Sequence, residues 1–217
     1  METVVARLLH SPKLFFYYQE LRDAVEQEQE RRKQFYATMT EQEKIEFING
    51  EIVRQSPVKF EHDFVSGKLY ILLHTYVTYH ELGYVGHEKM LVSLTRNDYE
   101  PDVCYWRKAT ADAFEKGQMH FPAPDFVAEV LSPSTAETDR DTKFNDYAAH
   151  GVQEYWIIDP TQEFVEQYVL RGEQYELVQK TDSGILRSPV VEGFRIPAAA
   201  LFKQPEYLRM LREITGS

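Results

Sequence analysis

The sequence predicts an α/β fold: a mixed four-stranded core sheet flanked by helices, with extra hairpins and an N-terminal helical arm. Three observations carry this reading. Segments with helical apolar spacing alternate with short β-branched and aromatic runs between residues 61 and 158. Asn49-Gly50 separates two β-favouring runs, the signature of a tight hairpin. A segment that starts at Ser134, with Glu137 at capping-box spacing, and closes at Gly151 lies between two apolar strand candidates.

The elements follow in order. Residues 12–36 read as a helical arm, with Leu14, Phe15, Tyr18, Leu21 and Val25 at helical spacing before the polar run EQEQERRK. The arm reads first as a solvated amphipathic helix packed on the domain and second as a dimerisation arm. Residues 44–54 (KIEFINGEIVR) form the hairpin. A helix is expected over about 61–82, with Phe64, Val65, Leu69, Leu72, Leu73, Tyr76 and Val77 on its apolar face and Gly83 as its terminating residue. Strands are expected at 84–94, 101–107 and 125–131, then the Ser134–Gly151 helix with Phe144, Tyr147 and Ala148 facing inward. A buried strand at 154–158 (EYWII), a hairpin over 163–180, a short strand near 190–196 and a terminal helix near 204–214 complete the chain. This organisation divides into an arm, 1–40, and one domain, 41–217.

Composition bounds the function. The 217 residues are 43% hydrophobic, enough to bury a core. No apolar run approaches the roughly 20 residues of a membrane helix, and Met1-Glu2 do not open a signal peptide, so the expected location is the cytoplasm. The single cysteine, Cys104, excludes an internal disulfide and a cysteine-built zinc site. The net charge of −11 argues against a protein that coats nucleic acid by bulk electrostatics, but not against an enzyme with a local binding groove.

The chemistry rests on strand alternation. In 101–107, Asp102, Cys104 and Trp106 share one face; in 125–131, Val127, Glu129 and Leu131 do. A carboxylate inside the apolar run FVAEVL is costly to bury without a partner or a metal. Two carboxylates on neighbouring strands, completed by water and phosphate oxygens, suit Mg²⁺ or Mn²⁺. Lys143 lies on the following helix, with Asp139, Arg140 and Thr142 expected on its solvent side. From there its stem can reach the sheet edge, where it would orient or deprotonate water or offset charge on a phosphate.

The stretches PDFVAEVLSPST (124–135) and DRDTKFNDYAAHGVQEYWIIDP (139–160), with IEFINGEIV (45–53), His62 and EPDVCYW (100–106), resemble the Uma-two family of bacterial proteins in the PD-(D/E)-x-K nuclease superfamily. The resemblance spans about residues 40–202. It implies a restriction-endonuclease-like fold and a Mg²⁺-dependent cut of phosphodiester bonds in a nucleic acid, with DNA the expected substrate. Asp102 matches the Asp of the PD motif and Glu129 the second acid, the implied metal ligands. The superfamily lysine usually stands two residues after the second acid; here that position is Leu131, and Lys143 matches the lysine this family carries on the next helix. His62, at the start of the first core helix, and Glu51, in the hairpin, are further candidate site residues. The expected activity is a metal-dependent endonuclease, conveniently a homodimer for cutting both strands of a duplex. The alternatives are a non-catalytic member of the same fold that binds nucleic acid or protein and, more remotely, a hydrolase using Asp102 and Glu129 as an acid–base pair.

Overall fold

The computed structural model describes residues 3–40 and 43–216. The absence of a leader read at Met1-Glu2 lies outside the described residues, as does Glu41, where the arm was expected to give way to the domain. The chain forms two compact units, Met1–Gln55 and Ser56–Ser217, with the first hairpin in the N-terminal one.

In the N-terminal unit, α1 (Val4–Leu9) is capped by Thr3, whose Oγ1 accepts from the Ala6 N–H at 3.2 Å. α2 (Leu14–Thr38) follows, then β1 (Ile45–Ile48) and β2 (Glu51–Arg54). Asn49 and Gly50 both take positive φ, 51° and 85°, and close Ile48 directly opposite Glu51. This is the mirror-image turn that suits the right-handed twist of paired strands. The C-terminal half of α2 holds the hairpin: Arg31 Nε donates to Gly50 O at 2.9 Å, and Phe35 stacks on Phe47 with ring centroids 5.7 Å apart. The apolar residues of its N-terminal half, expected to be covered, are exposed.

In the second unit the elements are α3 (Phe60–Tyr79), β3 (Gly83–His87), β4 (Leu91–Ser93), β5 (Asp98–Tyr99), β6 (Val103–Arg107), α4 (Lys108–Ala111), β7 (His120–Phe121) and β8 (Phe126–Val130). They continue with α5 (Ala136–Arg140), α6 (Thr142–Ala149), β9 (Glu154–Asp159), β10 (Phe164–Arg171), β11 (Gln174–Thr181), β12 (Ile185–Arg187), β13 (Arg195–Pro197), α7 (Ala199–Phe202) and α8 (Gln204–Thr215). The main sheet runs β11-β10-β9-β8-β6-β3. Its four-stranded core, β3, β6, β8 and β9, is mixed: only β8 and β9 run parallel, joined by the α5–α6 crossover. The β10–β11 hairpin extends that core antiparallel to β9.

One face of the sheet carries the main apolar core. Val65, Leu69, Leu72 and Val77 of α3 pack with Val103, Tyr105, Phe126, Ala128, Val130, Trp156 and Ile158, joined by Leu201, Tyr207 and Met210. Strand alternation sends Asp102, Cys104, Val127, Glu129 and Tyr155 to the other face, toward α6.

Three local expectations are corrected. Gly83 does not end α3. Glu81 takes the left-handed position (φ 54°), and the Leu82 N–H bonds back to Val77 O at 3.0 Å in a Schellman closure. Gly83 instead admits Trp106 O, which would lie 2.1 Å from a Cβ. The strand expected over 84–94 breaks at Glu88 and Lys89, both at positive φ, into β3 and β4. The helix expected from Ser134 is two helices. Thr135 makes no capping bond, and Asn145 Nδ2 competes for Asp141 O (2.8 Å) where α5 meets α6. Gly151 does close α6, with Val152 N–H bonding to Tyr147 O at 3.0 Å.

Candidate active site

β6 and β8 pair antiparallel with Val103 opposite Ala128, which sets Asp102 and Glu129 at adjacent strand ends on the same face. The two carboxylates are tied together through the backbone. Asp102 Oδ2 accepts from the Val130 N–H at 2.9 Å, and Glu129 Oε2 accepts from the Asp102 N–H at 3.3 Å. Each acid is therefore held by the other's strand, and their spacing follows from sheet register rather than from side-chain freedom.

Lys143 reaches this centre from α6. Its Nζ donates to Glu129 Oε1 at 3.0 Å and lies 3.4 Å from Asp139 Oδ1. Glu129 is 2% exposed and Lys143 3%, so the pair sits out of water, where an unpartnered charge would be costly. The Tyr147 hydroxyl also donates to Glu129 Oε1, at 3.3 Å. His62, near the start of α3, brings Nε2 to 3.1 Å from Asp102 Oδ2.

The position of α6 follows from a second polar network. Asp146 Oδ2 accepts from Asn97 Nδ2 at 2.7 Å and from the Tyr99 hydroxyl at 2.8 Å, and the Thr95 N–H donates to His150 Nε2 at 3.2 Å. These bonds fasten the middle and the C-terminal end of the short helix to the β4–β5 segment, and Lys143, one turn before Asp146, is placed toward Glu129. At the end of α5, Arg140 bonds to Glu166 at 2.6 Å, and Lys180 bonds to the same carboxylate at 2.8 Å. Burial works to raise the Glu166 carboxyl, but these two cations overcome it and hold the acid below its ordinary range.

The structure thus unites Asp102, Glu129, Lys143 and His62. Glu51 is exposed on β2, in the other unit. One expectation is overturned: Asp139 does not flank Lys143 on the solvent side but is buried beside it. The two residues stand on either side of the break between α5 and α6, so no periodicity within one helix marks their meeting. Asp139 is held in place by the Tyr155 hydroxyl, which donates to its carbonyl oxygen at 3.0 Å. Tyr147, read from the sequence only as part of an apolar face, also carries a polar contact to the centre.

Cys104 lies on the same sheet face. Burial, reinforced by the Glu129 charge, pushes its thiol well above the ordinary value, which disfavours a thiolate nucleophile there. Burial, with Glu129 and Asp139 nearby, likewise keeps Tyr155 a neutral hydrogen-bond donor.

Among the described residues no three or more His, Cys, Asp or Glu side chains form a ready-made metal cage. The donor set nevertheless fits Mg²⁺ or Mn²⁺. Asp102 and Glu129 offer hard carboxylate oxygens from two rigid strands, and such ions are commonly held by one or two carboxylates with water and phosphate completing the shell.

Comparisons with known proteins agree on the fold. A putative nuclease belonging to DUF820 from Anabaena variabilis ATCC 29413 superposes with a TM-score of 0.67 at 19% identity, covering 82% of this chain and 96% of its own. The uncharacterized protein sll1609 of Synechocystis sp. is 30% identical over 139 residues, 63% of this chain and 73% of the relative. No helix among the described residues is long and apolar enough to cross a membrane. The model of the Uma2 family, described as "Putative restriction endonuclease", matches residues 29–199, and a match of that extent makes this chain a member of the Uma2 family.

Proposed function

We propose that the protein is a metal-dependent endonuclease that hydrolyses phosphodiester bonds in DNA, with Asp102 and Glu129 holding Mg²⁺ or Mn²⁺. The observation that supports this most is the buried Lys143 ammonium, 3.0 Å from the Glu129 carboxylate on the strand next to Asp102. The ion would supply Lewis-acid stabilisation of charge on the phosphoryl oxygens. The chain's own residues do the rest. The register of β6 and β8 fixes the two acids. Lys143 presents a cation and a proton donor where the attacking water and the developing negative charge meet. His62, against Asp102, orients that carboxylate. A homodimer would carry two such centres to one duplex.

A second reading is favoured by one feature. Lys143 is shared between Glu129 and Asp139, as in a purely structural ion pair. On that reading the protein binds nucleic acid or a protein partner without cutting.

Calorimetric titration with Mn²⁺ separates the two. Binding by the wild type that disappears in Glu129→Ala supports the metal centre. Equal binding by both proteins refutes it. Nicking of supercoiled plasmid in Mg²⁺ is then expected to be lost in Asp102→Ala, Glu129→Ala and Lys143→Ala. Cleavage retained by Glu129→Ala overturns the catalytic assignment.

A further inference from the structure

The N-terminal half of α2 presents an apolar stripe to solvent. Leu14, Tyr18, Leu21 and Val25 recur at spacings of four, three and four residues, the seam pattern of paired helices. They are flanked by Phe15 and Tyr17. Phe15 is 64% exposed, Tyr18 57%, Leu21 58% and Val25 54%. The contacts of α2 with its own hairpin, through Arg31 and Phe35, lie further along the helix. Aromatic side chains carry about 150–250 Å² each, so the stripe offers on the order of 600 Å². That matches the largest apolar patch of a typical monomer, roughly 300–600 Å² and often functional. It approaches the roughly 800 Å² each partner contributes to a standard interface.

The charges around the stripe are segregated. Residues 3–19 contain Arg7 and Lys13 and no acid, whereas residues 20–30 contain Glu20, Asp23, Glu26, Glu28 and Glu30 against Arg22 alone. Two copies laid parallel would set acid on acid. Laid antiparallel, each basic end meets the acidic segment of the other, an arrangement satisfied by one two-fold axis.

We infer that this stripe is a self-association surface: α2 pairs antiparallel with α2 of a second copy about a two-fold axis between Gln19 and Glu20. In this register Leu14 of one copy meets Val25 of the other, and Tyr18 meets Leu21. The surface rests on the arm alone and stands whether or not the nuclease reading does; it gives the homodimer of that reading a structural basis.

Sedimentation velocity on the full chain, from nanomolar to high micromolar concentration, tests it. A reversible monomer–dimer equilibrium is expected. Leu21→Glu places a charge in the seam and weakens the dimer by at least about 100-fold. Tyr18→Ala removes an aromatic anchor from the seam without adding charge and weakens it by about tenfold. Tyr18 is on the exposed helix surface, so this variant stays readable even if Leu21→Glu lowers helix content by circular dichroism. A chain that remains monomeric at every concentration overturns the inference. So does a dimer indifferent to Leu21→Glu or to Tyr18→Ala.

Discussion

Replacing Lys143 by Met removes the ammonium while keeping most of the stem's volume in the space between α6 and the sheet. Glu129, 2% exposed, then keeps only the Tyr147 hydroxyl and the Asp102 N–H of the partners described above. Asp139, equally buried, loses its cation at 3.4 Å. Breaking a buried ion pair by removing one partner costs about 3–5 kcal/mol, because the other charge stays desolvated. The companion variant Glu129→Gln strands less, since Lys143 keeps Asp139, and about 1–3 kcal/mol is expected. The double variant leaves a neutral amide against a thioether, so the two losses do not add, and a coupling of about 2 kcal/mol or more is expected from the cycle. Urea unfolding followed by tryptophan fluorescence measures it. The protein's two tryptophans, Trp106 and Trp156, are both buried in the second unit, so the signal reports that unit. Lys143→Met within about 1 kcal/mol of wild type, or strictly additive variants, would refute the claim that this pair is the electrostatic centre of the site.

Two further outcomes follow from elements away from Asp102 and Glu129. Burial pushes the Glu154 carboxyl up to about 7, against bonds from Ser188, Trp156 (2.6 Å) and Gln167 (2.7 Å) that favour the anion. A raised folded value means that its contribution is fully present below the unfolded value near 4.3 and is lost as pH climbs through about 7. From pH 5 to 8 the wild type should therefore lose up to about 3 kcal/mol relative to Glu154→Gln in urea titrations, and a flat difference would contradict this. Gly83→Ala puts a Cβ 2.1 Å from Trp106 O at a φ of +150°, so β3 must part from β6. A loss of about 3 kcal/mol or more, read as a fall in Tm, is expected, and a Tm near wild type would show that the strand end relaxes freely.

Much of the architecture could be read from local pattern. The turn at Asn49-Gly50 was legible because two successive left-handed residues demand that chemistry. The shared face of Asp102 and Glu129 was legible because strand alternation has a period of two and both runs are otherwise apolar. Gly151 closed its helix as expected, while Gly83 did not. A glycine near a helix end has the same appearance whether it turns the chain or admits a neighbouring carbonyl, and the neighbour, Trp106, lies on another strand. The capping-box spacing at Ser134 failed for a local reason: Ser132 Oγ lies 3.0 Å from Ser134 Oγ and offers a competing partner.

Residue order alone dictates which residue types stand on which face of which element, because helix and strand periods are set by backbone geometry. That periodicity sets Asp102 and Glu129 on matching faces of two apolar strands, while Lys143 stands out through the family resemblance. It takes the packed fold to bring a lysine fourteen residues from Glu129, in a different element, within 3.0 Å of it. That meeting depends on the local break between α5 and α6 and on the long-range contacts by which Asp146 fastens α6 to Asn97 and Tyr99. The burial of Asp139 has the same origin. Local spacing places a side chain on a face, but whether that face meets protein or water depends on what the rest of the chain packs against it.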